Sequence, residues 1–252
     1  MTASDLLYVA FIVAALLADH FVFWPRFVRG AQIQPQQARW TIWRSWMTML
    51  WSMAGAGIAL WIYSNRRWAL LGLDFPSGWR LWASVALVLA VVALYVSTII
   101  KVSKISIVQK VALRARFGIY ATMLPHTRSE LARFTVLSLS AGFCEELVFR
   151  GYLVWFFVPF IGLAGAATVS CVVFALGHAY QGAGGIFKTG LFGALFVAII
   201  LAFDSLIPAI VLHALIDVGQ GVVAWLVLRE VPEVNSGSNR LDEVMEQVQR
   251  NG

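Results

Sequence analysis

Between Leu131 and Phe157 the chain carries an apolar run of membrane-spanning length, LARFTVLSLSAGFCEELVFRGYLVWFF, with Glu145, Glu146 and Arg150 near its middle. A carboxylate at the centre of a bilayer costs roughly 2.5–3.5 kcal/mol on insertion scales, so such groups face a protein interior or a water-filled cavity. The run therefore predicts a bundle of helices with a polar site inside it. Glu146 and Arg150 are four residues apart on one helix face, where an ion pair makes both charges tolerable. Glu145 is turned by about 100° from Glu146 and has no cation on its own face in the local sequence. It is the carboxylate left free to handle a proton. The competing reading takes EELVFR as a helix end at the membrane–water boundary, with its charges in solvent.

The rest of the chain agrees with a membrane bundle. Only 13% of its 252 residues are charged and 60% are hydrophobic, against about 25% charged in a soluble domain. The net charge of +6 comes from arginines and lysines clustered between apolar runs, as topology signals do, so no nucleic-acid partner is expected. Apolar spans are expected at about Leu6–Phe23, Met47–Tyr63, Leu81–Ile100, Leu131–Phe157, Leu163–Ala179, Ile186–Phe203 and Leu206–Leu228. The first is read as a retained helix, since MTASD lacks the basic segment of a secretory signal. The fold class is all-α, a polytopic transmembrane helix bundle of about seven or eight spans, in the cell (inner) membrane with lipids as its surroundings. Thr127 and Glu130 make a capping-box pattern ahead of the fourth span, and GAGG at Gly182–Gly185 separates the fifth from the sixth. Trp24, Trp46, Trp61, Trp68, Trp79 and Trp82 fall at proposed span ends, as an aromatic belt would. Asp19 and His20, beside Trp24 and Pro25, are read as interfacial. Cys144 and Cys171 sit in apolar spans as small buried hydrophobes, with no disulfide expected.

Pro25–Trp46 mixes arginine and tryptophan as an interfacial helix does. The positive-inside rule puts this segment, Lys101–Glu130 and the C-terminus in the cytoplasm; Arg66, Arg67 and Arg80 on the other side oppose it. Three regions are expected: residues 1–123, helices without a motif; 124–228, the part carrying the site; and 229–252, a polar tail whose NRLDEVMEQVQRNG is at most a short amphipathic helix. No sequence feature specifies an oligomeric state.

Two further spans repeat the anomaly of the fourth. FALGH places Phe174 and His178 on one helix face, and HALID does the same for His213 and Asp217. Each could be a structural histidine at a helix end or a packing hydrogen bond. Together with Glu145, Glu146 and Arg150 they make an acid–base set, and that is the economical explanation of their coincidence.

The ordered triplet EExxxR, FxxxH and HxxxN/D resembles the CPBP family, which includes the type II CAAX prenyl endopeptidases and bacterial Abi-like membrane proteins. Here it reads Glu145–Glu146–Leu–Val–Phe–Arg150, Phe174–Ala–Leu–Gly–His178 and His213–Ala–Leu–Ile–Asp217, and the likeness covers about Leu124 to Gly219. The resemblance implies a membrane-embedded peptidase acting on a membrane-associated peptide or protein substrate, prenylated or not, through a glutamate-activated water. Under it Glu145 is the general base with His178 assisting, and His213 and residue 217 stabilise the oxyanion. Glu146 and Arg150 hold the site or the substrate end. Asp217 departs from the commoner asparagine, and a carboxylate repels an oxyanion, so its expected role is to orient His213. No metal or cofactor is expected. Glu145, His178 and His213 are nevertheless a donor set of the kind catalytic zinc uses, which leaves a zinc-dependent variant as an alternative. A non-catalytic immunity or binding protein is the other alternative, while a transporter would favour inverted repeats that the sequence lacks.

Overall fold

The computed structural model describes residues 2–231, and every regular element among them is helical. α1, Ala3–Ala18, runs through a π-helical turn at Asp19–Phe23 into α2, Trp24–Ile33. α3 is Pro35–Tyr63, α4 Trp79–Ser103 and α5 Ile107–Phe117. α6, Arg128–Glu145, passes through a second π-helical segment, Glu146–Leu153, into α7, Val154–Gly177. α8 is Gly182–Phe203 and α9 is Ile207–Leu228. The expected helix at 239–252, and the polar tail from residue 232 on, lie outside the described residues.

Local chemistry sets most boundaries. The Thr127 hydroxyl accepts from the Glu130 N–H and the Glu130 carboxylate accepts from the Thr127 N–H, which opens α6 with the expected capping box. Gln34, which precedes Pro35, leaves the helical region (φ −137°, ψ 77°) and so divides α2 from α3. Pro25 interrupts nothing, because it stands in the first turn of α2, where a missing N–H is tolerated. The first span therefore continues past Phe23 to Ile33. The turn after α7 ends at Gly182, whose φ of 73° favours glycine, and the rest of GAGG forms the start of α8 rather than a separator.

Six helical stretches are long and apolar enough to cross a membrane, residues 3–33, 35–63, 79–103, 128–177, 179–203 and 207–228. The chain is an integral membrane protein, with six such stretches where the sequence suggested seven or eight. The difference lies in residues 128–177, a stretch of 50 residues that takes in both the fourth and the fifth expected spans. At about 1.5 Å per residue it would reach about 75 Å, more than twice a hydrocarbon core of about 30 Å. It is not straight: Pro159 removes a backbone donor and Gly162 adopts φ 70°, ψ 172°, outside any helix. Apolar side chains such as Leu89, Leu94, Phe160 and Leu191 project outward, the surface that hydrocarbon covers.

Ion pairs and backbone contacts gather the helix ends. Arg39 of α3 bonds Glu130 of α6 at 3.1 and 3.2 Å and the Thr122 carbonyl at 2.8 Å. At the other end Asp5, fully buried, takes both arms of Arg66 at 2.8 and 2.9 Å and the Tyr152 hydroxyl. Nearby, the Leu206 N–H donates to the Gly72 carbonyl at 2.7 Å and Arg80 pairs with Asp204 at 3.2 Å. Trp61, expected in an interfacial belt, is fully buried against Tyr152 and Trp155.

Candidate active site

The two charged helices meet where a glycine lets them. A Cβ on Gly142 would stand 2.7 Å from the backbone nitrogen of Ala214, so α6 and α9 touch backbone to backbone. Glu145 lies one turn beyond Gly142, and His213 is the neighbour of Ala214. The contact thus delivers one motif to the other across 67 residues of sequence.

Glu146 stands at the centre of what results. Its Oε1 accepts from Arg150 Nη1 at 3.0 Å and from His213 Nδ1 at 2.8 Å, with Glu146 and Arg150 both buried. The expected Glu146–Arg150 pair is present, and the hydrogen bond that orients His213 comes from Glu146. Asp217 lies 3.7 Å from His213 Nε2 and Glu145 lies 3.6 Å from the same nitrogen, both just beyond hydrogen-bond contact. His213 therefore has one nitrogen fixed by a carboxylate and the other turned towards two more. Its ring stacks on Phe196, with centroids 5.1 Å apart. The Arg150 guanidinium sits 3.9 Å from the centre of the Phe174 ring, a cation–π contact that supports a charge whose Nε and Nη2 have no hydrogen-bond partner among the described residues.

Glu146 also begins the second π-helical segment. Such segments interrupt the 3.6-residue period and re-aim side chains, and they occur often at functional sites. This one is held from α7, where the buried Ser170 hydroxyl donates to the Phe149 carbonyl at 2.7 Å. His178 follows the end of α7, and its Nδ1 is 2.9 Å from the Phe174 carbonyl. A carbonyl only accepts, so Nδ1 carries the proton and Nε2 is left free to accept.

Glu145, His178, His213 and Asp217 all line one cavity of about 580 Å³. Its walls are not confined to the motif-bearing region. Leu16 and Asp19 come from the first helical stretch, and Trp46, Met49, Leu50 and Met53 from α3. Asp19 is a correction to its reading as interfacial: it is only 4% exposed, and its Oδ1 accepts from Trp46 Nε1 at 2.8 Å. His20, the next residue of the π-helical turn, is exposed. The rule that flagged Glu145, an ionisable group inside an apolar run, applies equally to Asp19. The neighbouring Trp24 and Pro25 masked it by imitating a span end. Tyr180 and Lys188 also line the cavity, and no motif marks either.

Among the described residues no three His, Cys, Asp or Glu side chains are grouped as a metal ion would require. Cys144 is buried and Cys171 half-buried, both free thiols.

A family model described as type II CAAX prenyl endopeptidase, Rce1-like, matches residues 127–219, just over a third of the chain. No curated protein and no solved structure matches.

Proposed function

From the premise that residues 127–219 are a domain of the Rce1-like type II CAAX prenyl endopeptidase family, we propose that this protein is a membrane-embedded endopeptidase hydrolysing a peptide bond of a membrane-associated substrate. The observation that carries the reading is the meeting of Glu145 and His213, from separate helices, on a cavity that His178 and Asp217 also line. Among the described residues Glu145 makes no hydrogen bond to another side chain, so its carboxylate is available to take a proton from water. The hydroxide so formed adds to the scissile carbonyl carbon. His178 Nε2 accepts a hydrogen bond from that water and aims it. His213, as the imidazolium with a proton on each nitrogen, is held by Glu146 at Nδ1 and donates from Nε2 to the oxyanion of the tetrahedral intermediate. Collapse breaks the C–N bond, and Glu145 returns its proton to the leaving amine. Side chains and water suffice for this sequence, with no cofactor.

The substrate lies in the membrane or at its surface. Leu16, Met49, Leu50, Met53 and Leu137 give the cavity an apolar wall suited to an aliphatic or prenyl chain. Residues 128–177 cross the membrane twice, reversing at Gly162, which makes seven crossings in all. The cavity end of the bundle, with Arg39, Lys101, Lys104 and Lys110, faces the cytoplasm of a cell (inner) membrane.

The test is cleavage of quenched-fluorescent, membrane-anchored peptides, prenylated and not, by protein in lipid nanodiscs. Glu145→Gln keeps volume but cannot take the proton, so turnover should fall by about 10²–10⁴ at unchanged melting temperature. Activity should survive a chelator. Loss on chelation with rescue by zinc would replace this mechanism with a metal-dependent one, and tight binding without any cleavage would make the protein a binder.

A further inference from the structure

Asp19 is a cavity acid that the mechanism leaves unused. It belongs to the first helical stretch, outside residues 127–219, and it is carried at the start of a π-helical turn that directs it inward while the adjacent His20 faces out. One of its oxygens accepts from Trp46 Nε1 at 2.8 Å; the other accepts no hydrogen bond among the described residues. A carboxylate has about four acceptor positions, and a buried one is costly until they are used. Among the described residues three carboxylates, Asp19, Glu145 and Asp217, line the cavity with a single lysine, Lys188, and the Arg150 guanidinium is already engaged by Glu146. The cavity is thus acidic, and Asp19 is half-satisfied.

Resting on the peptidase reading, we propose that Asp19 is a substrate-binding residue that receives a cationic side chain, lysine or arginine, of the peptide close to its scissile bond. Trp46 fixes one carboxylate oxygen and leaves the other for an N–H donor of the substrate. Asp19, Glu145 and His178 line the same cavity, so a peptide lying across it can meet Asp19 and Glu145 at once. A lysine there replaces the missing hydrogen-bond donor and offsets the acidic cavity, whereas a glutamate adds a fourth negative charge.

The experiment uses three membrane-anchored peptides with acetylated N-termini, identical except for Lys, Met or Glu beside the scissile bond. Binding is measured with the full chain carrying Glu145→Gln in nanodiscs, and cleavage with the unmodified chain. The Lys peptide should bind about tenfold tighter than the Met peptide, with Glu the weakest. The same order should appear in KM rather than kcat. Adding Asp19→Asn, which keeps an oxygen for Trp46 Nε1, should bring the Lys and Met peptides within about twofold. Equal binding of all three peptides to protein with Asp19 intact overturns the proposal, as does a lysine preference that persists in Asp19→Asn. The binding arm stands without catalysis, so absence of cleavage would sink the peptidase reading and leave the assignment of Asp19 to be judged by the peptide ranking.

Discussion

Glu146 is held by a cation on its own helix and by an imidazole from another, and this double engagement separates it from Glu145 more sharply than their positions in sequence do. Replacing it with glutamine leaves the Arg150 guanidinium without a counter-charge among Phe174 and Phe196. Breaking one side of a buried pair costs about 3–5 kcal/mol. Glu146→Gln should therefore lower the thermal unfolding temperature and the yield, which Glu145→Gln should not; equal melting temperatures for the two variants would refute the division of roles. Asp217 makes the second test at this scale. Because Glu146 already holds His213 Nδ1, the carboxylate of Asp217 is not needed to orient the ring. Asp217→Asn should keep or raise turnover by offering an N–H to the oxyanion. Asp217→Ala, which offers no such donor, should turn over more slowly than Asp217→Asn by up to about 10²–10³. Turnover of one peptide in one detergent decides it: if Asn is as inactive as Ala while both remain folded, the carboxylate itself takes part. The four-residue spacing of Glu146 and Arg150 was enough to pair them from sequence. The bond from Glu146 to His213 was beyond that reasoning, since only the packing of α6 on α9 brings the two together.

At the scale of elements, that packing depends on Gly142. A methyl group there would meet the nitrogen, Cα and Cβ of Ala214 at 2.7–2.9 Å, and because two of these atoms are backbone, no rotamer change relieves the clash. Gly142→Ala should push α9 from α6, draw His213 away from Glu145 and Glu146, and destabilise the protein by about 1–3 kcal/mol with a larger loss of turnover. Gly55→Ala, with nothing within 4 Å of the added atom, is the matched control. If the two variants melt and cleave alike, the close approach of the helices does not position the site. The helices themselves were largely legible, because apolar runs, the capping box at Thr127 and proline positions are local properties. Where α1 carries on through Phe23, and where one helical stretch takes in both Phe157 and Leu163, the outcome depended on backbone conformation at Asp19–Phe23 and Gly162. Hydropathy does not record either. The inward turn of Asp19 escaped for the same reason, since a π-helical turn shifts the face on which a 3.6-residue period would put it.

For the molecule as a whole, the distribution of arginine and lysine bears on how the bundle sits in its membrane. One end carries Arg26, Arg29, Arg39, Arg44, Lys101, Lys104 and Lys110; the other carries Arg66, Arg67 and Arg80. The second group is the evidence against a cytoplasmic basic end, and two of its members are tied to acids, Arg66 to buried Asp5 and Arg80 to Asp204. Arg66 also lies 4.5 Å from the centre of the Trp155 ring, so it acts as a packing residue of the bundle. Of those three, Arg67 is then the cation with no such tie among the described residues, and the excess at the opposite end should govern insertion. Single cysteines at the two ends of α4, Ser103→Cys and Ser77→Cys, measure this directly, since both positions are exposed and neither lines the cavity. With a maleimide that cannot cross membranes, Ser77→Cys should label in intact cells or right-side-out vesicles, and Ser103→Cys only in inverted ones. The unsubstituted chain, whose Cys144 is buried and whose Cys171 lies within α7, should label in neither. The reverse pattern would turn the cavity mouth away from the cytoplasm, and with it the membrane face from which a peptide substrate must arrive.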